Sequence, residues 1–328
     1  MKPLDTLGVG LTLRPAQWND LAAIAELILD VLTADGDAIS AVTPDELERE
    51  WKNEGFVLET DAFVVVNSEG HIVGYEVFEN RHAHAALLGD GYVHPDFRRL
   101  GIGTTMLRAL EERARKEIPL AEPDLRVSIM NGMSSKDMIA REIHERESYK
   151  PTRFFWMMEI ELSAAPEIIS FSTDIELRPF IKGVQDRLVF EAEDEAFRDH
   201  WGHVPGNFND WKLRKLERED FDPTLWHIAW AGEQIAGFSQ TRYRNGIGWV
   251  STLGVRRPWR KHGLGEALLL HSFNEFYKRS MLKIGLGVDA SNPTGATRLY
   301  QKVGMQVKVE DVVYEKELRP GRELENVE

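Results

Sequence analysis

Residues 260–266, Arg-Lys-His-Gly-Leu-Gly-Glu, set three basic side chains and two glycines ahead of an apolar run. That run, Ala267, Leu268, Leu269, Leu270, Phe273, Phe276 and Tyr277, is apolar on more than one helical face, the pattern of a helix packed inside a domain. The first N–H groups of a helix have no intrahelical acceptor and carry roughly half a positive charge from its dipole. Gly263 and Gly265 have no side chains, so those N–H groups can face an anion closely, with Arg260, Lys261 and His262 beside them. The chemistry this spacing supports is the cradling of a pyrophosphate between a strand ending near Val255 and a helix beginning near Gly265.

Spacing excludes two other phosphate loops. A Walker A loop needs Lys-Ser or Lys-Thr after its glycines, and neither follows here. A dinucleotide fingerprint needs a third glycine at position 268, which is Leu. What remains, Arg260-x-x-Gly263-x-Gly265, resembles the acyl-CoA pyrophosphate loop of the GCN5-related N-acetyltransferase (GNAT) superfamily, Gln/Arg-x-x-Gly-x-Gly/Ala.

The pattern occurs twice. Val93-His-Pro-Asp-Phe-Arg98-Arg99-Leu-Gly101-Ile102-Gly103-Thr104 matches residues 255–266 with the Arg and both Gly in register. Leu13-Arg14-Pro15 recurs as Leu177-Arg178-Pro179, and Gly74 recurs as Gly237. Landmarks in one order, all about 160 residues apart, mean that a whole domain is duplicated; solenoid repeats run about 20 to 50 residues.

The elements that hold these loops read the same way in both halves. Residues 10–15 form a strand and 21–32 an amphipathic helix. Thr43-Pro44-Asp45-Glu46 is a capping box opening a second helix. Strands are expected at 62–66, 71–78, up to 93, 125–130 and 154–162, with a helix carrying Met106, Leu107, Leu110 and Ala114 after the glycine loop. After a linker at 163–172, strands are expected at 174–177, 226–230, 235–243, 248–255, 282–288 and 307–316. Helices are expected at 187–197, 211–217 and 293–302, and Asn245-Gly246 marks a hairpin turn. The order β-α-α-β-β-β-α-β-α-β is the GNAT order and covers each half almost end to end. The resemblance implies an α/β fold with two tandem GNAT-like domains, residues 1–165 and 166–328. Each is a mixed, mostly antiparallel sheet flanked by helices. The tandem layout is similar to that of mycothiol synthase and its relatives.

The resemblance further implies acetyl-CoA as acyl donor and an amine as acceptor. In the second half it assigns cofactor contacts to Leu253, Val255, Arg260, Lys261, His262, Gly263, Leu264, Gly265, Glu266 and Asn292. In the first half it assigns them to Val93, Arg98, Arg99, Gly101, Ile102, Gly103 and Thr104. Residues 289–305 resemble the family pattern N-x-x-A-x-x-L-Y-x-x-x-G-F, with Met305 for Phe; this makes Tyr300 the acid that protonates the leaving sulfur. Asn292 before Pro293 is also a good helix N-cap in its own right. Aligning Ser148-Tyr149 with Gly304-Met305 puts His144 where Tyr300 sits and Lys136 near Asn292. The first half is therefore expected to be degenerate, a cofactor-binding or structural domain, and the second to catalyse.

Transfer to an amine also needs a base. Tandem relatives often carry a glutamate on the fourth strand, and Gly248-Trp249-Val250-Ser251 has none. Glu191, Glu193, Glu195, His200 and His203 are the candidates, Glu195 and His200 foremost, and a water relay is open. His82 with His84, expected on one strand face, and His200 with His203 lack an evident third ligand, so no metal is expected. The alternative to an enzyme is a non-catalytic acyl-CoA-binding or regulatory tandem protein, and modification of peptide N-termini is a third reading.

Composition sets the outer bounds. The 328 residues are 42% hydrophobic and 29% charged, ordinary for soluble domains with real cores, and include no cysteine, which excludes disulfides, thiolate metal sites and an acyl-cysteine intermediate. A net charge of −14 argues against a nucleic-acid partner and suits a cationic small-molecule amine. No apolar stretch reaches membrane-spanning length, and the first residues lack a signal-peptide core, so no membrane partner and a cytoplasmic location are expected. The two domains can pair as an internal pseudo-dimer in a monomer, or the chain can form a homodimer.

Overall fold

The computed structural model describes residues 7–171, 174–198, 200–201, 206–292 and 294–324. In chain order the elements of the first half are β1 (Thr12–Pro15), α1 (Leu21–Asp35), α2 (Pro44–Trp51), α3 (Leu58–Asp61), β2 (Ala62–Val66), β3 (Ile72–His82), β4 (Ala86–Val93), α4 (Ile102–Arg115), β5 (Val127–Ser134), α5 (Met138–Arg146) and β6 (Lys150–Glu161). The second half has β7 (Ile175–Pro179), α6 (Asp186–Phe197), α7 (Phe208–Lys215), β8 (Trp226–Ala231), β9 (Gln234–Arg244), β10 (Ile247–Val255), α8 (Leu264–Lys278), β11 (Lys283–Asp289), α9 (Ala296–Lys302) and β12 (Gln306–Arg319). The expected mixed α/β class is observed, and the expected element order holds in the second half, while the first half carries one further short helix, α3, before β2.

The chain forms two compact units, and they are not the two sequence halves. Unit 1 comprises residues 1–154 with 309–325, and unit 2 comprises 155–308 with 326–328. In unit 1 the strand order is β1-β2-β3-β4-β5-β12, antiparallel except for the parallel β4–β5 pair. In unit 2 it is β7-β8-β9-β10-β11-β6, antiparallel except for the parallel β10–β11 pair. The last strand of each half thus completes the sheet of the other half's unit. Residues 163–171 carry neither helix nor strand, as expected of a linker.

Each sheet is covered on both faces. In unit 1, α1 and α2 bury Ile24, Leu27, Ile28, Leu47 and Trp51 against Val64 and Tyr75. On the other face α4 buries Leu107, Leu110 and Ala114 with Phe78, Ile129 and Tyr314. In unit 2, α6 and α7 pack Val189, Ala192 and Trp211 on Trp226, Ile228 and Phe238. The opposite face holds Leu269, Phe273 and Phe276 of α8 with Val250, Leu286 and Tyr300.

Local signals explain most element ends. Thr43 Oγ1 accepts the Glu46 N–H at 3.2 Å and Glu46 Oε2 accepts the Thr43 N–H at 3.1 Å, the expected reciprocal cap of α2. Asn245 at φ 45° and Gly246 at φ 82° make the β9–β10 turn, the paired positive φ a two-residue hairpin needs. Two expectations are corrected. α9 starts at Ala296, capped by Gly295 at φ 82°, because Asn292 Oδ1 is used two residues on by the Thr294 N–H at 2.8 Å. His82 and His84 do not share a strand face: β3 ends at His82, and Ala83 and His84 turn away at φ 52° and 57°.

Candidate active site

The loop between β10 and α8 is fixed by a run of backbone conformations. A 3-10 turn at Arg257–Trp259 leads to Arg260 at φ −67°, ψ 155°, then Lys261 at φ 67°, then Gly263 at φ 78°, ψ −2°, which caps α8. The loop between β4 and α4 repeats this. Pro95–Phe97 leads to Arg98 at φ −62°, ψ 153°, Arg99 at φ 66°, and Gly101 at φ 78°, ψ −1°. Gly263 and Gly101 are required here, since a left-handed residue opening a helix carries strain with any Cβ.

The result in each unit is a concave set of N–H groups. The first intrahelical bonds are Ala267 N–H to Gly263 O and Thr105 N–H to Gly101 O, both 3.0 Å. That leaves Leu264, Gly265 and Glu266, and likewise Ile102, Gly103 and Thr104, without intrahelical acceptors. A Cβ built on Gly263 would meet nothing within 4 Å, so the space before the loop is open. Lys261, His262 and Arg99 are exposed at the rims. Donor set, dipole and charge fit a pyrophosphate in both loops.

The arginines of the two motifs brace the loops. Arg260 donates from Nε to Val255 O at 3.0 Å and from Nη2 to Ala196 O at 2.9 Å, tying the end of β10 to the end of α6. Arg98 pairs with Asp35 at 3.3 Å and Asp137 at 3.6 Å. Glu266, an acid in the first turn of α8, is offset by Lys302 at 2.6 Å.

Both parallel pairs open beside these loops. β10 pairs β11 only at Gly248↔Ile284 and Trp249↔Gly285, and a bulge at Ser251 turns the rest of β10 away. Leu253 and Val255 therefore lie on a stretch of β10 whose edge, among the described residues, has no partner strand on that side. β4 and β5 part after Gly89↔Asn131, leaving Val93 in the same setting. An edge of this kind offers N–H and C=O groups to the amides of an extended ligand.

α9 places the phenol. Leu299 lies 3.5 Å from where a Cβ of Gly265 would sit, so α9 rests on the anion loop and Tyr300 follows directly. Tyr300 is 7% exposed within the cluster that holds Val250, Leu286 and Val288. Burial raises its phenol to about 12. No described residue hydrogen-bonds its hydroxyl. In unit 1, Ile143 lies 3.1 Å from where a Cβ of Gly103 would sit, which puts His144 in the equivalent place. Burial lowers the His144 pKa, and its Nδ1 bonds Ala140 O at 2.8 Å. Asn292 is held in its own turn by Thr294, ahead of α9.

On the face of β9 and β10 toward α6 and α7, the structure joins the base candidate Glu193 to three residues that the sequence did not single out, Lys215, Gln240 and Thr252. Lys215 Nζ bonds Glu193 Oε1 at 2.5 Å, Gln240 Oε1 at 2.7 Å and Thr252 Oγ1 at 2.9 Å. Glu193 Oε2 also accepts from Trp211 Nε1 at 2.9 Å and Gln240 Nε2 at 2.8 Å. Burial lowers the Lys215 pKa, against the pull of Glu193. Among the base candidates, Glu193 is saturated by these donors and Glu191 is exposed. Glu195 is ion-paired to Arg256 at 2.5 Å. His200 is half-buried against Phe197, ring centroids 4.5 Å apart, and His203 lies outside the described residues.

Unit 1 concentrates acid instead. Burial, then the charges of Asp90, Glu79 and Glu46, lift Glu50 to about 7; Asp90 is lifted to about 6, chiefly by burial. Asp311 is lifted to about 7 by burial and by Asp37, Asp90 and Asp35. A carboxyl raised in the folded state loses stability as pH climbs from its unfolded pKa to its folded one, here from about 4 to about 7. Asp311→Asn is therefore expected to raise the Tm by roughly 2–5 °C at pH 8 and by less at pH 5, read by thermal melts; a lower Tm at pH 8 would contradict the placement of Asp311.

Comparison with known proteins agrees with this architecture. The acetyltransferase (GNAT) family matches residues 25–125 and 187–305. A mycothiol acetyltransferase of Catenulispora acidiphila is 27% identical over 324 residues, covering 94% of this chain and 99% of the relative. The crystal structure of a GCN5-related N-acetyltransferase from Sphaerobacter thermophilus superposes with a TM-score of 0.82 at 34% identity, covering 98% and 100% of the two chains. A tandem GNAT protein from the clavulanic acid biosynthesis pathway shares the fold, with a TM-score of 0.69 at 16% identity over 95% and 100%. With both anion loops, both opened strand pairs and both family matches in place, the chain belongs to the GNAT family and is an N-acetyltransferase built from two GNAT domains.

Proposed function

We propose that the chain moves an acetyl group from acetyl-CoA to a primary amine of a small molecule by direct transfer, and that unit 2 is the catalytic one. The observation that supports this most is the seating of α9 on the anion loop, Leu299 against Gly265, which sets the Tyr300 phenol beside the opening between β10 and β11. When bound, acetyl-CoA supplies the activated acyl group. The N–H groups of Leu264, Gly265 and Glu266, with Lys261 and His262, hold its pyrophosphate, and the open edge of β10 at Leu253 and Val255 takes its amides. Asn292 stands in the turn ahead of α9. Tyr300 donates to the departing sulfur. His200, packed against Phe197 at the end of α6, is the base we favour.

Unit 1 keeps the anion loop, with Val93, Arg98, Arg99, Gly101, Ile102, Gly103 and Thr104 in the same backbone path, and carries His144 in place of the phenol. We read it as an acyl-CoA-binding domain without transferase chemistry of its own. The relatives' name, mycothiol acetyltransferase, fits an acceptor that is a small molecule bearing a primary amine.

The experiment is a thiol-release assay with acetyl-CoA against a panel of primary amines, run beside calorimetric titration of acetyl-CoA. Gly265→Glu puts an anion in the second cradle and is expected to weaken binding there about 100-fold or more while abolishing turnover. Gly103→Glu is expected to remove the other site and leave most of the turnover. Turnover that survives Gly265→Glu and is lost in Gly103→Glu would reverse the assignment of the units.

A further inference from the structure

Unit 2 carries a one-residue slip in β10 that unit 1 lacks in β4. β9 and β10 pair from Gly237↔Val255 to Gln240↔Thr252 and resume at Thr241↔Val250, so Ser251 is an extra residue. β3 and β4 pair without a shift from Gly74↔Val93 to Asn80↔Leu87. β10 accordingly spans nine residues and β4 eight. Ser251 is exposed, just past the last β10–β11 pair, Trp249↔Gly285.

Side chains alternate between the faces of a strand, and one extra residue breaks that alternation. Val250 lies in the cluster of Leu269 and Phe273 under α8. Thr252, two residues on, would face α8 as well in an unbroken strand. Its hydroxyl instead accepts from Lys215 on the α6–α7 face. Leu253 and Val255 then pack with Leu264 and Leu268, on the α8 side. Backbone N–H and C=O groups alternate between the two edges in the same rhythm. The slip therefore decides which backbone groups of residues 252–255 reach the open edge beside the anion loop.

The end of α7 holds that slip. Lys215, its last residue, grips both members of the first pair beyond the bulge, Gln240 Oε1 at 2.7 Å and Thr252 Oγ1 at 2.9 Å. Its third proton goes to Glu193 Oε1 of α6 at 2.5 Å, and Gln240 Nε2 closes the ring onto Glu193 Oε2 at 2.8 Å. Gln240 is 1% exposed, so it depends on these partners. In unit 1, α2 ends on Trp51 where α7 ends on Lys215, and Val77↔Asp90 stands where Gln240↔Thr252 does. Trp51 donates to Tyr75 instead. The clamp and the slip occur in the same unit.

We propose that Lys215 is a positioning residue for acetyl transfer: its ammonium clamps the slip in β10 and so fixes which backbone groups of residues 252–255 meet the acyl donor. It acts through β10 and touches neither donor nor acceptor. The inference rests on unit 2 being the catalytic unit.

The clamp has a titration of its own. Three acceptors use three protons, and a neutral amine has only two. Burial lowers the Lys215 pKa, Glu193 opposes the fall, and Arg214 adds to it. Around the ammonium stand Glu193 of α6, Arg214 of α7, and the uncharged Gln240 and Thr252 of β9 and β10. The clamp is complete while Lys215 is charged and is lost as pH rises through its folded value.

The test on the full chain combines hydrogen exchange of the free protein, acetyl-CoA calorimetry and thiol release. Lys215→Met is expected to speed exchange of the amides of residues 250–255 and to weaken the acetyl-CoA site that Gly265→Glu removes about tenfold. It is also expected to lower kcat about 10- to 100-fold. Thr252→Val keeps the branched shape and removes one acceptor. It is expected to act in the same direction more weakly, with Tm nearly unchanged, so the result does not hang on how well Lys215→Met folds. Lys215→Arg cannot lose its charge. It is expected to be more active than Lys215→Met and to lack the alkaline fall in kcat that the wild type shows below the usual lysine value of about 10.4. Wild-type exchange and kcat in both Lys215→Met and Thr252→Val, or the same alkaline fall in Lys215→Arg, would overturn the proposal. Turnover that survives Gly265→Glu would remove unit 2 from catalysis and Lys215 with it. Turnover abolished by Gly265→Glu yet untouched by Lys215→Met would sink the clamp alone.

Discussion

Expressed separately, residues 1–165 and 166–328 are expected to give no cooperative thermal transition, although each holds a complete-looking run of GNAT elements. The first fragment lacks β12, which pairs with β5 from Asp311↔Ser134 to Arg319↔Val127. It would lose Val312, 2% exposed, and Tyr314, 0% exposed, from the core under α4. It would also lose Arg319, which donates to the carbonyls of Leu125 and Ile118 at 3.0 and 2.9 Å. Burial of two such side chains contributes about 1.5–3 kcal/mol each, and the lost ladder leaves β5 a bare edge. Set against a usual domain stability of about 5–15 kcal/mol, a missing sixth strand is enough to unfold the fragment. The second fragment loses β6 from its place beside β11, with Met158 at 0% and Met157 at 5% exposure. Circular dichroism melts read the outcome. Fusing residues 306–325 by a flexible linker to the end of the first fragment is expected to restore a transition. A fragment 1–165 that melts cooperatively without that addition would show that β12 is dispensable.

The strand exchange was invisible in the sequence for a physical reason. Residues 306–319 alternate like any half-buried strand, and alternation fixes which face is buried without naming the neighbour. The same limit explains the Lys215–Glu193–Gln240–Thr252 network, whose members come from α6, α7, β9 and β10 and carry no local signature. What was legible had a local cause. The two loops were found because glycines without side chains stand beside basic residues in a motif that occurs twice, and the dihedrals agree between the copies to within a few degrees. The α2 cap and the Asn245-Gly246 turn had local causes as well. Arg98 and Arg260 were found as motif residues, yet their use as braces to Asp35 and Ala196 depends on where α1 and α6 end, which no spacing reports. Asn292 fell between: its type suits an N-cap, and Gly295, three residues on, took that position.

Tyr300→Phe is expected to lower kcat by about 10²- to 10³-fold while leaving acetyl-CoA affinity and Tm nearly unchanged. The position of the phenol makes the prediction sharp. Burial holds it at about 12, so it stays protonated throughout the working pH range. A coenzyme thiol has a pKa near 8.5, so complete proton transfer to the thiolate is uphill by roughly 3.5 units, or about 5 kcal/mol. Tyr300 is therefore expected to act mainly by donating a hydrogen bond to the developing thiolate charge, in a site dry enough for that bond to count. Two consequences distinguish this from protonation by a phenol tuned near neutrality. The wild type is expected to show no alkaline limb assignable to Tyr300 below about pH 11. Substrates with better thiolate leaving groups are expected to depend less on the hydroxyl, because less charge needs stabilising at sulfur. Phe in its place keeps the ring among Val250, Leu286 and Val288, so a fall in kcat cannot be charged to a lost core. If kcat is unchanged, the phenol is a packing residue and the donor must be sought elsewhere along the opening between β10 and β11.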